Sequence, residues 1–410
     1  MSVATAAFAA FSDVVGAAAV REATRHDAVQ GVIPQLVIEP GDEDQVAATL
    51  REATRRQLAV VARGSGTKLE WGASPSRCDV ILSTRRLDRL VEHQPDDLIC
   101  VAQAGMWLAS LQTALAQASG HQQRLMLDPP QGDAATLGGI VATAATGSLR
   151  SRYGTPRDLL IGVRFALADG TVGHAGGKVV KNVAGYDVGK LLTGSLGTLA
   201  VITELAFKLH PCAPVSRSIV FEDASASGLA GFVQRLRSLP VAPSVVDIAW
   251  PDGLVAVRVD SSEEGAERQA ATIIAAAGGR ALTESEAIGL SARLAHRPWD
   301  RPGVIAAVTV PATRLAELLQ VCADFASEAI VRGLVPAGEA RLPQDSGDVI
   351  AMRTAVELLG GHLALHRAPA AVAELAWPAR EGAEVDLMRS LKQQLDPAGI
   401  LSPGRHLAGV

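Results

Sequence analysis

The most restrictive feature of this chain is a dense series of glycine-rich turns between residues 128 and 212. Glycine lets the main chain turn sharply, or come close to another group, at low steric cost. Ser and Thr accompany the glycines at 128–139 and 194–202, and an earlier turn, RGSGTK at 63–68, has the same character. Three such turns indicate that distant loops converge on one large bound molecule.

The first of these turns, 63–68, differs from the dinucleotide-binding motif that also follows a strand. A Rossmann G-x-G-x-x-G needs glycine at position 69 and then a helix, but the chain has Leu69 and Pro75. What remains is a strand–loop–strand in which Gly64 and Gly66 allow successive N–H groups to form a nest for a pyrophosphate. A plain tight turn is the alternative interpretation of this loop taken alone.

Composition excludes several classes of partner and metal centre. Lys and Arg number 38 against 43 Asp and Glu, a net charge of −5, so neither nucleic acid nor an anionic membrane is indicated. The 4 cysteines form no C-x-x-C pair, which predicts no iron–sulfur cluster and no metal site in this chain. The apolar first twenty residues lack a basic segment and contain Asp13, which predicts a helix and a cytoplasmic protein.

Elements alternate between strand and helix up to residue 211, where the composition changes at Pro211-Cys212-Ala213-Pro214. Downstream, strand and helix patterns with two adjacent strands predict an antiparallel sheet covered by helices on one face. A last helix stops at Asp396-Pro397. The predicted domains are 1–213, 214–385 and a C-terminal helix and tail at 386–410 that returns to the first domain.

Several motifs carry a resemblance to a known family. RGSGTK, DPP…ATLGGIVATAATG, SRYGTPRDLLIGV, KNVAGYDVGKLLTGSLGTLAVITE and LDPAGILSPGR occur in family order along nearly the whole chain. The chain resembles the FAD-linked oxidases of the vanillyl-alcohol oxidase type, and within them the FAD-binding E subunits of bacterial glycolate oxidases. The resemblance implies an α+β fold: a PCMH-type FAD-binding domain of two subdomains, then an antiparallel-sheet cap domain.

The resemblance also implies which residues bind FAD. They lie in the three glycine-rich turns and in the segment 147–154. Some related families attach the flavin to a histidine of the first turn, where this chain has Thr67 and Lys68, so noncovalent FAD is expected. The implied cofactor-binding residues are Arg63, Gly64, Ser65, Gly66, Thr67, Lys68, Asp128, Pro129, Pro130, Thr136, Gly138, Gly139, Thr143, Gly147, Tyr153, Gly154, Gly197, Thr198, Val201 and Ile202.

Oxidation of a hydroxy acid by a flavin requires a base for the hydroxyl proton and cations for the carboxylate. The predicted catalytic residues are therefore titratable or cationic, with an amide beside them: Lys181, Asn182, Tyr186, Arg341, His362 and His366. Lys178, Arg367, Arg405 and His406 are further candidates.

His362 and His366 also resemble a metal-binding pair. The glycines before them and Pro369 after them predict a strand, which separates the two side chains by about 13 Å, too far to share one ion. A helix would bring them together. Related catalytic dehydrogenases carry a His-x-Gly-Asp-Gly-Asn-type metal motif, whereas this chain has GGHLALHRAP, so independent substrate oxidation is not expected.

Three functions follow. The first is an FAD-binding subunit of a glycolate (2-hydroxy acid) oxidase that acts with a catalytic FAD subunit and an iron–sulfur subunit, and meets the membrane only through these partners. The second is a self-sufficient FAD-dependent D-2-hydroxy-acid dehydrogenase of the D-lactate type. The third is a noncatalytic structural subunit that retains FAD.

Overall fold

The computed structural model describes residues 3–118, 122–177, 186–343 and 346–410. The chain forms two compact units that do not follow the sequence order strictly, because residues 146–154 group with the second unit. Unit 1 comprises Met1–Ala145, Thr155–Pro211 and Ala379–Val410, and unit 2 comprises Thr146–Gly154 and Cys212–Pro378. The ranges 1–213, 214–385 and 386–410 remain predictions as functional domains.

The helices of the described residues are distributed over both units. In chain order they are α1 (Val3–Val15), α2 (Glu43–Arg56), α3 (Leu108–Gln117), α4 (Leu137–Thr143), α5 (Arg150–Tyr153), α6 (Pro156–Leu159), α7 (Val188–Leu192), α8 (Ala226–Arg237), α9 (Glu263–Ala277), α10 (Glu284–Ala295), α11 (Leu315–Phe325), α12 (Ser346–Leu358) and α13 (Ala383–Leu395).

The strands of the described residues form separate sheets in the two units. In chain order they are β1 (Val20–Glu22), β2 (Leu36–Ile38), β3 (Val60–Arg63), β4 (Val80–Ser83), β5 (Leu90–Gln94), β6 (Ile99–Gln103), β7 (Gln123–Arg124), β8 (Leu160–Ala166), β9 (Val172–Gly176), β10 (Val201–Lys208), β11 (His210–Pro211), β12 (Val215–Glu222), β13 (Val245–Trp250), β14 (Leu254–Ser261), β15 (Arg280–Ala281), β16 (Val304–Thr309), β17 (Glu328–Arg332), β18 (Ala337–Leu342) and β19 (His362–Arg367).

Unit 1 contains a four-stranded sheet of order β1-β2-β4-β3, in which β2, β3 and β4 run parallel. Helix α2 is the crossover connection between the parallel strands β2 and β3, which lie on either side of β4. Asp42 caps α2, since its Oδ1 accepts a bond from the Gln45 N–H at 2.8 Å. The apolar face of α2 buries Val46 and Leu50 against Phe11 of α1. Strand β3 leads directly into the first glycine-rich turn.

The second sheet of unit 1 is antiparallel, in the order β5-β6-β10-β8-β9. Strands β8 and β9 form the hairpin that the sequence predicts around Asp169-Gly170, and Gly170 has the positive φ of +79° that such a turn needs. The C-terminal tail also packs on unit 1: the Val60 N–H donates to the Ile400 carbonyl at 2.7 Å. These elements bring β3, β10 and the tail together.

Unit 2 is built on one eight-stranded sheet, β15-β12-β14-β13-β17-β18-β16-β19, whose strand pairs are all antiparallel. Helices α8, α9, α11 and α12 cover one face, as predicted, and bury Phe232, Ile273, Leu318 and Met352 in its core. Helix α10, which the sequence analysis did not separate, packs on the opposite face through Leu294.

The strand prediction for residues 362–367 is confirmed by β19, and the N-terminal helix by α1. Within the described ranges, none of the helices combines the length and the apolar character needed to cross a bilayer.

Candidate functional site

A cavity lies in unit 1 where three glycine-rich stretches meet. Its wall is mostly small and apolar, with hydroxyl groups and cations at a few positions. The lining residues are Ala62, Arg63, Gly64, Gly66, Thr67, Lys68, Leu69, Thr84, Ala104, Thr136, Gly138, Gly139, Ala142, Thr143, Leu196, Gly197, Ala200, Val201, Ile202 and Arg405.

The first loop, 63–68, lies directly against Thr136 of the second. A Cβ atom on Gly64 would stand 2.0 Å from Thr136 Oγ1, so no larger residue fits. Gly66 has a φ of +85°, which favours glycine. Ser65 Oγ donates to the Ala134 carbonyl and therefore points at the second loop instead of into the cavity.

The second loop enters α4, whose N-cap is Thr136. The Gly139 N–H donates to Thr136 Oγ1 at 3.3 Å. Gly138 packs on Ala104 so closely that an added Cβ would be 2.8 Å from the Ala104 Cβ. Gly138 thus lets α4 lie close to Ala104 at the end of β6.

The third loop, at Leu196-Gly197, is held in an unusual backbone conformation. Leu196 has a φ of +53° and Gly197 a φ of +71°. A non-glycine residue in this region costs about 1–3 kcal/mol and persists only where surrounding contacts fix it. The Leu196 N–H donates to the Ala142 carbonyl at 2.7 Å, which ties this loop to the end of α4.

Lys68 places a buried ammonium group in the cavity wall. Its Nζ donates to the Pro130 carbonyl at 2.8 Å and to Thr67 Oγ1 at 3.3 Å, and it lies 5.7 Å from the centre of the Trp71 ring. Burial lowers the pKa of Lys68 to about 8. No ion pair joins Lys68 to a carboxylate of the described residues. The cavity wall therefore holds a cation whose charge a bound anion can balance.

Arg405 supplies a second buried cation from the C-terminal tail. Its Nη2 donates to the carbonyls of Leu69 at 2.6 Å and Trp71 at 2.7 Å. Burial lowers the pKa of Arg405 to about 10. Arg405 is a further catalytic candidate by sequence; the structure places it in unit 1, beside the first loop.

Arg63, the third cation of the wall, shares the Asp27 carboxylate with Arg21. Its Nη1 donates to Asp27 Oδ1 at 3.0 Å, and Asp27 also pairs with Arg21 at 2.7 Å. The Arg21 guanidinium holds the pKa of the Asp27 carboxyl far below its usual range, with Arg63 contributing. Lys68 and Arg405 are therefore the cavity cations whose described bonds go to neutral carbonyl or hydroxyl oxygens.

The chemistry of this donor set fits FAD. A long apolar wall of alanine, leucine and glycine suits a flavin and an adenine, and the buried cations with the main-chain N–H groups of the first loop suit a diphosphate. The cavity lining contains no histidine or cysteine among the described residues.

Twelve of the predicted cofactor-binding residues line this cavity: Arg63, Gly64, Gly66, Thr67, Lys68, Thr136, Gly138, Gly139, Thr143, Gly197, Val201 and Ile202. Pro130 instead fixes Lys68 through its carbonyl, beside Asp128 and Pro129, and Ser65 and Thr198 lie next to lining residues. Gly147, Tyr153 and Gly154 belong to unit 2. The cofactor role of each residue remains a prediction.

Several lining residues are not among the residues predicted to bind the cofactor: Ala62, Leu69, Thr84, Ala104, Ala142, Leu196 and Ala200. Most of them flank a predicted glycine or hydroxyl residue, so the glycine-rich motif, extended by a few residues, was the available signal. Thr84 and Ala104 lie at the ends of β4 and β6 and had no such signal.

The predicted catalytic residues have different surroundings. Lys181 and Asn182, with Lys178, lie outside the described residues, and Tyr186 is 94% exposed. Arg341 Nη2 donates to Glu328 Oε2 at 2.7 Å in unit 2. His362 and His366 lie on β19, with Leu363 and Leu365 between them turned to the core. Their catalytic roles remain predictions.

Arg341, His362 and His366 share one face of the unit 2 sheet, since their strand neighbours are the residues that fill the opposite, apolar face. The same face carries a buried pair, Arg332 and Glu339. In the described part of the chain, no group of three or more His, Cys, Asp or Glu side chains is placed to hold a metal ion.

A buried carboxyl on this face, Asp247, accepts a hydrogen bond from Ser148 of the short segment 146–154. Burial raises the pKa of Asp247, against the opposing effect of Arg332. This bond attaches the segment to β13 within unit 2.

Comparisons with known proteins agree with this site. A family model described as an FAD binding domain matches residues 34–176. Glycolate oxidase subunit GlcE of Escherichia coli (strain K12) is 27% identical over 88% of this chain and 95% of its own length. Glycolate oxidase subunit GlcD of Bacillus subtilis (strain 168) is 26% identical over 92% of this chain and 89% of its own length. A D-lactate dehydrogenase of Archaeoglobus fulgidus is 37% identical, but over only 43% of this chain and 39% of that protein.

Solved structures show the same fold. p-Cresol methylhydroxylase with substrate bound has a TM-score of 0.74 at 16% identity, covering 98% of this chain and 96% of that chain. The 4-ethylphenol oxidase of Gulosibacter chungangensis has a TM-score of 0.73 at 19% identity over the same shares. The predicted α+β fold is confirmed. The chain is similar to FAD-linked oxidoreductases, and FAD is its cofactor. Within that class, glycolate oxidase subunits are similar to it along most of its length.

Proposed function

We propose that this chain is the FAD-binding subunit of a multi-subunit glycolate (2-hydroxy acid) oxidase. The observation that carries the proposal is the unit 1 cavity, where three glycine-rich loops and the buried Lys68 form a site for a large anionic cofactor. The glycolate oxidase subunits, similar over about nine-tenths of the chain, support the assignment to a complex.

In this proposal the chain's own residues bind and orient FAD. The first loop and Lys68 hold the diphosphate of FAD, and Thr136, Gly138 and Gly197 border the rest of the cofactor. FAD is held without a covalent bond, because the cavity lining offers no histidine or cysteine among the described residues. FAD supplies the acceptor for the two electrons that leave glycolate as it becomes glyoxylate.

The substrate groups are proposed from the sequence. His362 or His366 takes the hydroxyl proton, and Lys181, Asn182, Tyr186 and Arg341 position the carboxylate. The electrons pass to an iron–sulfur subunit, because the 4 cysteines are scattered, and 3 of them, Cys78, Cys100 and Cys322, are buried. We place the assembly in the cytoplasm, with membrane contact only through partner subunits.

A self-sufficient D-lactate-type dehydrogenase is the second candidate, favoured by the 37% identity to the Archaeoglobus enzyme over 177 residues. A structural subunit that retains FAD is the third. Anaerobic addition of glycolate or D-lactate to the purified chain separates them. Bleaching of the flavin absorbance by the chain alone would support the second candidate and contradict the first.

The first and third candidates predict different turnover by the whole complex when this chain lacks FAD. Removal of FAD from this chain, followed by reassembly with the partner subunits, abolishes glycolate turnover if the chain's flavin takes part in electron transfer. Turnover at the full rate after FAD removal would contradict the first candidate and support the structural role.

A further inference from the structure

The C-terminal segment 392–405 contacts two of the cavity loops within unit 1. Lys392, on α13, donates from Nζ to the Thr198 carbonyl, the Leu401 carbonyl and Asp396 Oδ2, each at 2.7 Å. An ammonium group has three N–H donors, so these three bonds use all of them. Lys392 thereby joins the third loop to the tail and does not itself line the cavity.

Asp396 makes this junction rigid. Its side chain is fully buried and accepts main-chain bonds from Ile400 at 3.1 Å and Leu401 at 2.8 Å. Burial lowers the pKa of Lys392, and the Asp396 carboxylate acts against that shift. The ion pair therefore fixes the turn from 396 to 401 as well as the Thr198 carbonyl.

The other end of the segment holds the first loop. Arg405 Nη2 donates to the Leu69 and Trp71 carbonyls, while the Ala73 N–H donates to the Arg405 carbonyl at 3.0 Å. The Ser76 N–H donates to the Pro403 carbonyl at 2.8 Å. Side chain and main chain of the tail thus both attach to the residues that follow the first loop.

We infer that segment 392–405 is a clamp that positions the first and third loops for FAD, with Lys392 as a positioning residue of the cofactor site. The two loops lie far apart in sequence, and the tail bonds to the third loop and to the residues that directly follow the first. Their relative position therefore depends on bonds made by residues at the far end of the chain. The inference rests on FAD binding by unit 1, which is part of the proposed function.

Lys392→Met tests the clamp through cofactor affinity instead of activity. The FAD-free chain is titrated with FAD, and quenching of flavin fluorescence gives the Kd. We expect at least a tenfold higher Kd than for the wild type, because the Thr198 carbonyl loses its charged donor. Lys190→Met is the matched control, since Lys190 pairs with Asp187 on the exposed side of α7; its Kd should equal that of the wild type.

Hydrogen exchange of the FAD-free variants separates positioning from a general loss of stability. In Lys392→Met, peptides that cover 194–202 should exchange faster, while those that cover 63–72 should not. Arg405→Lys should show the reverse pattern. Should Lys392→Met fail to fold, Lys392→Arg keeps the charge toward Asp396 and should give a smaller rise in Kd with the same exchange pattern.

An unchanged Kd in the Lys392 variants, or faster exchange spread evenly over unit 1, would overturn the clamp while wild-type FAD binding leaves the proposed function intact. A wild-type chain that binds no FAD would overturn both.

Discussion

The cavity wall of unit 1 and the polar face of the unit 2 sheet bury their cations in different ways. In the cavity wall, the described hydrogen bonds of Lys68 go to neutral oxygens, the Pro130 carbonyl and the Thr67 hydroxyl. In unit 2, the buried Arg332 bonds to the carboxylate of Glu339. A carbonyl oxygen accepts the cation's hydrogen bond but does not neutralise its positive charge, whereas a carboxylate does both. The unit 1 cavity therefore retains charge for an anionic ligand.

The same difference bears on the predicted substrate arginine. Arg341 faces Glu328 at 2.7 Å, and Glu328 also pairs with Arg297 at 2.8 Å. A substrate carboxylate at Arg341 would compete with a carboxylate that is already present. The polar face of the unit 2 sheet is in this respect a balanced network, unlike the cavity.

The largest expected effect is on the stability of unit 2. Arg332→Met leaves Glu339 buried without its partner, which should lower the free energy of unfolding by about 3–5 kcal/mol. Urea denaturation of the chain measures it. Arg268→Met, which removes an exposed pair with Glu264, is the control and should change stability by less than about 1 kcal/mol. An Arg332 variant as stable as the control would contradict a balanced network.

Next in size is the loss of FAD affinity when the cavity cation is removed. Lys68→Met should raise the Kd about tenfold to a hundredfold, since hydrogen bonds that involve a charged group contribute about 1.5–3 kcal/mol. Fluorescence titration with FAD measures the change, with Lys190→Met as the exposed control. Equal affinity in the two variants would show that Lys68 does not face the cofactor.

The pH dependence of binding sharpens the comparison further. Burial lowers the pKa of Lys68 from 10.5 to about 8, so above pH 8 the unfolded chain holds this proton more tightly than the FAD-free folded chain. Through Lys68, the free energy of unfolding of the FAD-free chain should therefore increase as pH rises from 8 toward 10.5. The Kd for FAD should rise over the same window, by at most about tenfold per pH unit, because binding favours the charged ammonium.

Measurements at pH 7, 8 and 9 test whether the FAD-free chain becomes more stable while its binding of FAD becomes weaker. Lys68→Met should remove the pH dependence that belongs to this group from both binding and stability. A Kd that falls with pH in the wild type would contradict the assignment of Lys68 as the counter-ion of the cofactor.

The smallest expected effect concerns the segment 146–154. Ser148→Ala removes the hydrogen bond to the buried Asp247 carboxyl and should lower the free energy of unfolding by about 1 kcal/mol. Denaturant unfolding measures it, with Ser227→Ala on the exposed side of α8 as control. The same variant tests the predicted flavin contact of 147–154: a raised Kd for FAD would support that contact.

Much of the fold follows from local patterns. The amphipathic pattern of α2, the Asp-Gly turn of the β8–β9 hairpin, and the glycines and Pro369 on either side of β19 are local signals, so the sequence predicts these elements. The helix α10 was missed because its one buried residue, Leu294, gives almost no apolar face. The segment 146–154 bonds to unit 2 through Ser148 to Asp247 and Arg152 to the Ala242 carbonyl, contacts between distant residues that no local pattern encodes.

The candidate site shows the same limit. Glycine and hydroxyl residues reveal the three loops because their chemistry is local. The roles of Arg405 and Lys392 depend on contacts with residues 69, 71 and 198, which are brought near only by the complete fold of unit 1. No spacing between these residues in the sequence could have indicated them.

The most direct test is calorimetric titration of the FAD-free wild-type chain and of Lys68→Met with FAD at pH 7.5. The account predicts one FAD bound per wild-type chain and affinity at least tenfold weaker in the variant. Absence of binding by the wild type, or equal affinity in both proteins, would contradict the claim that a buried cation in the unit 1 cavity holds the cofactor.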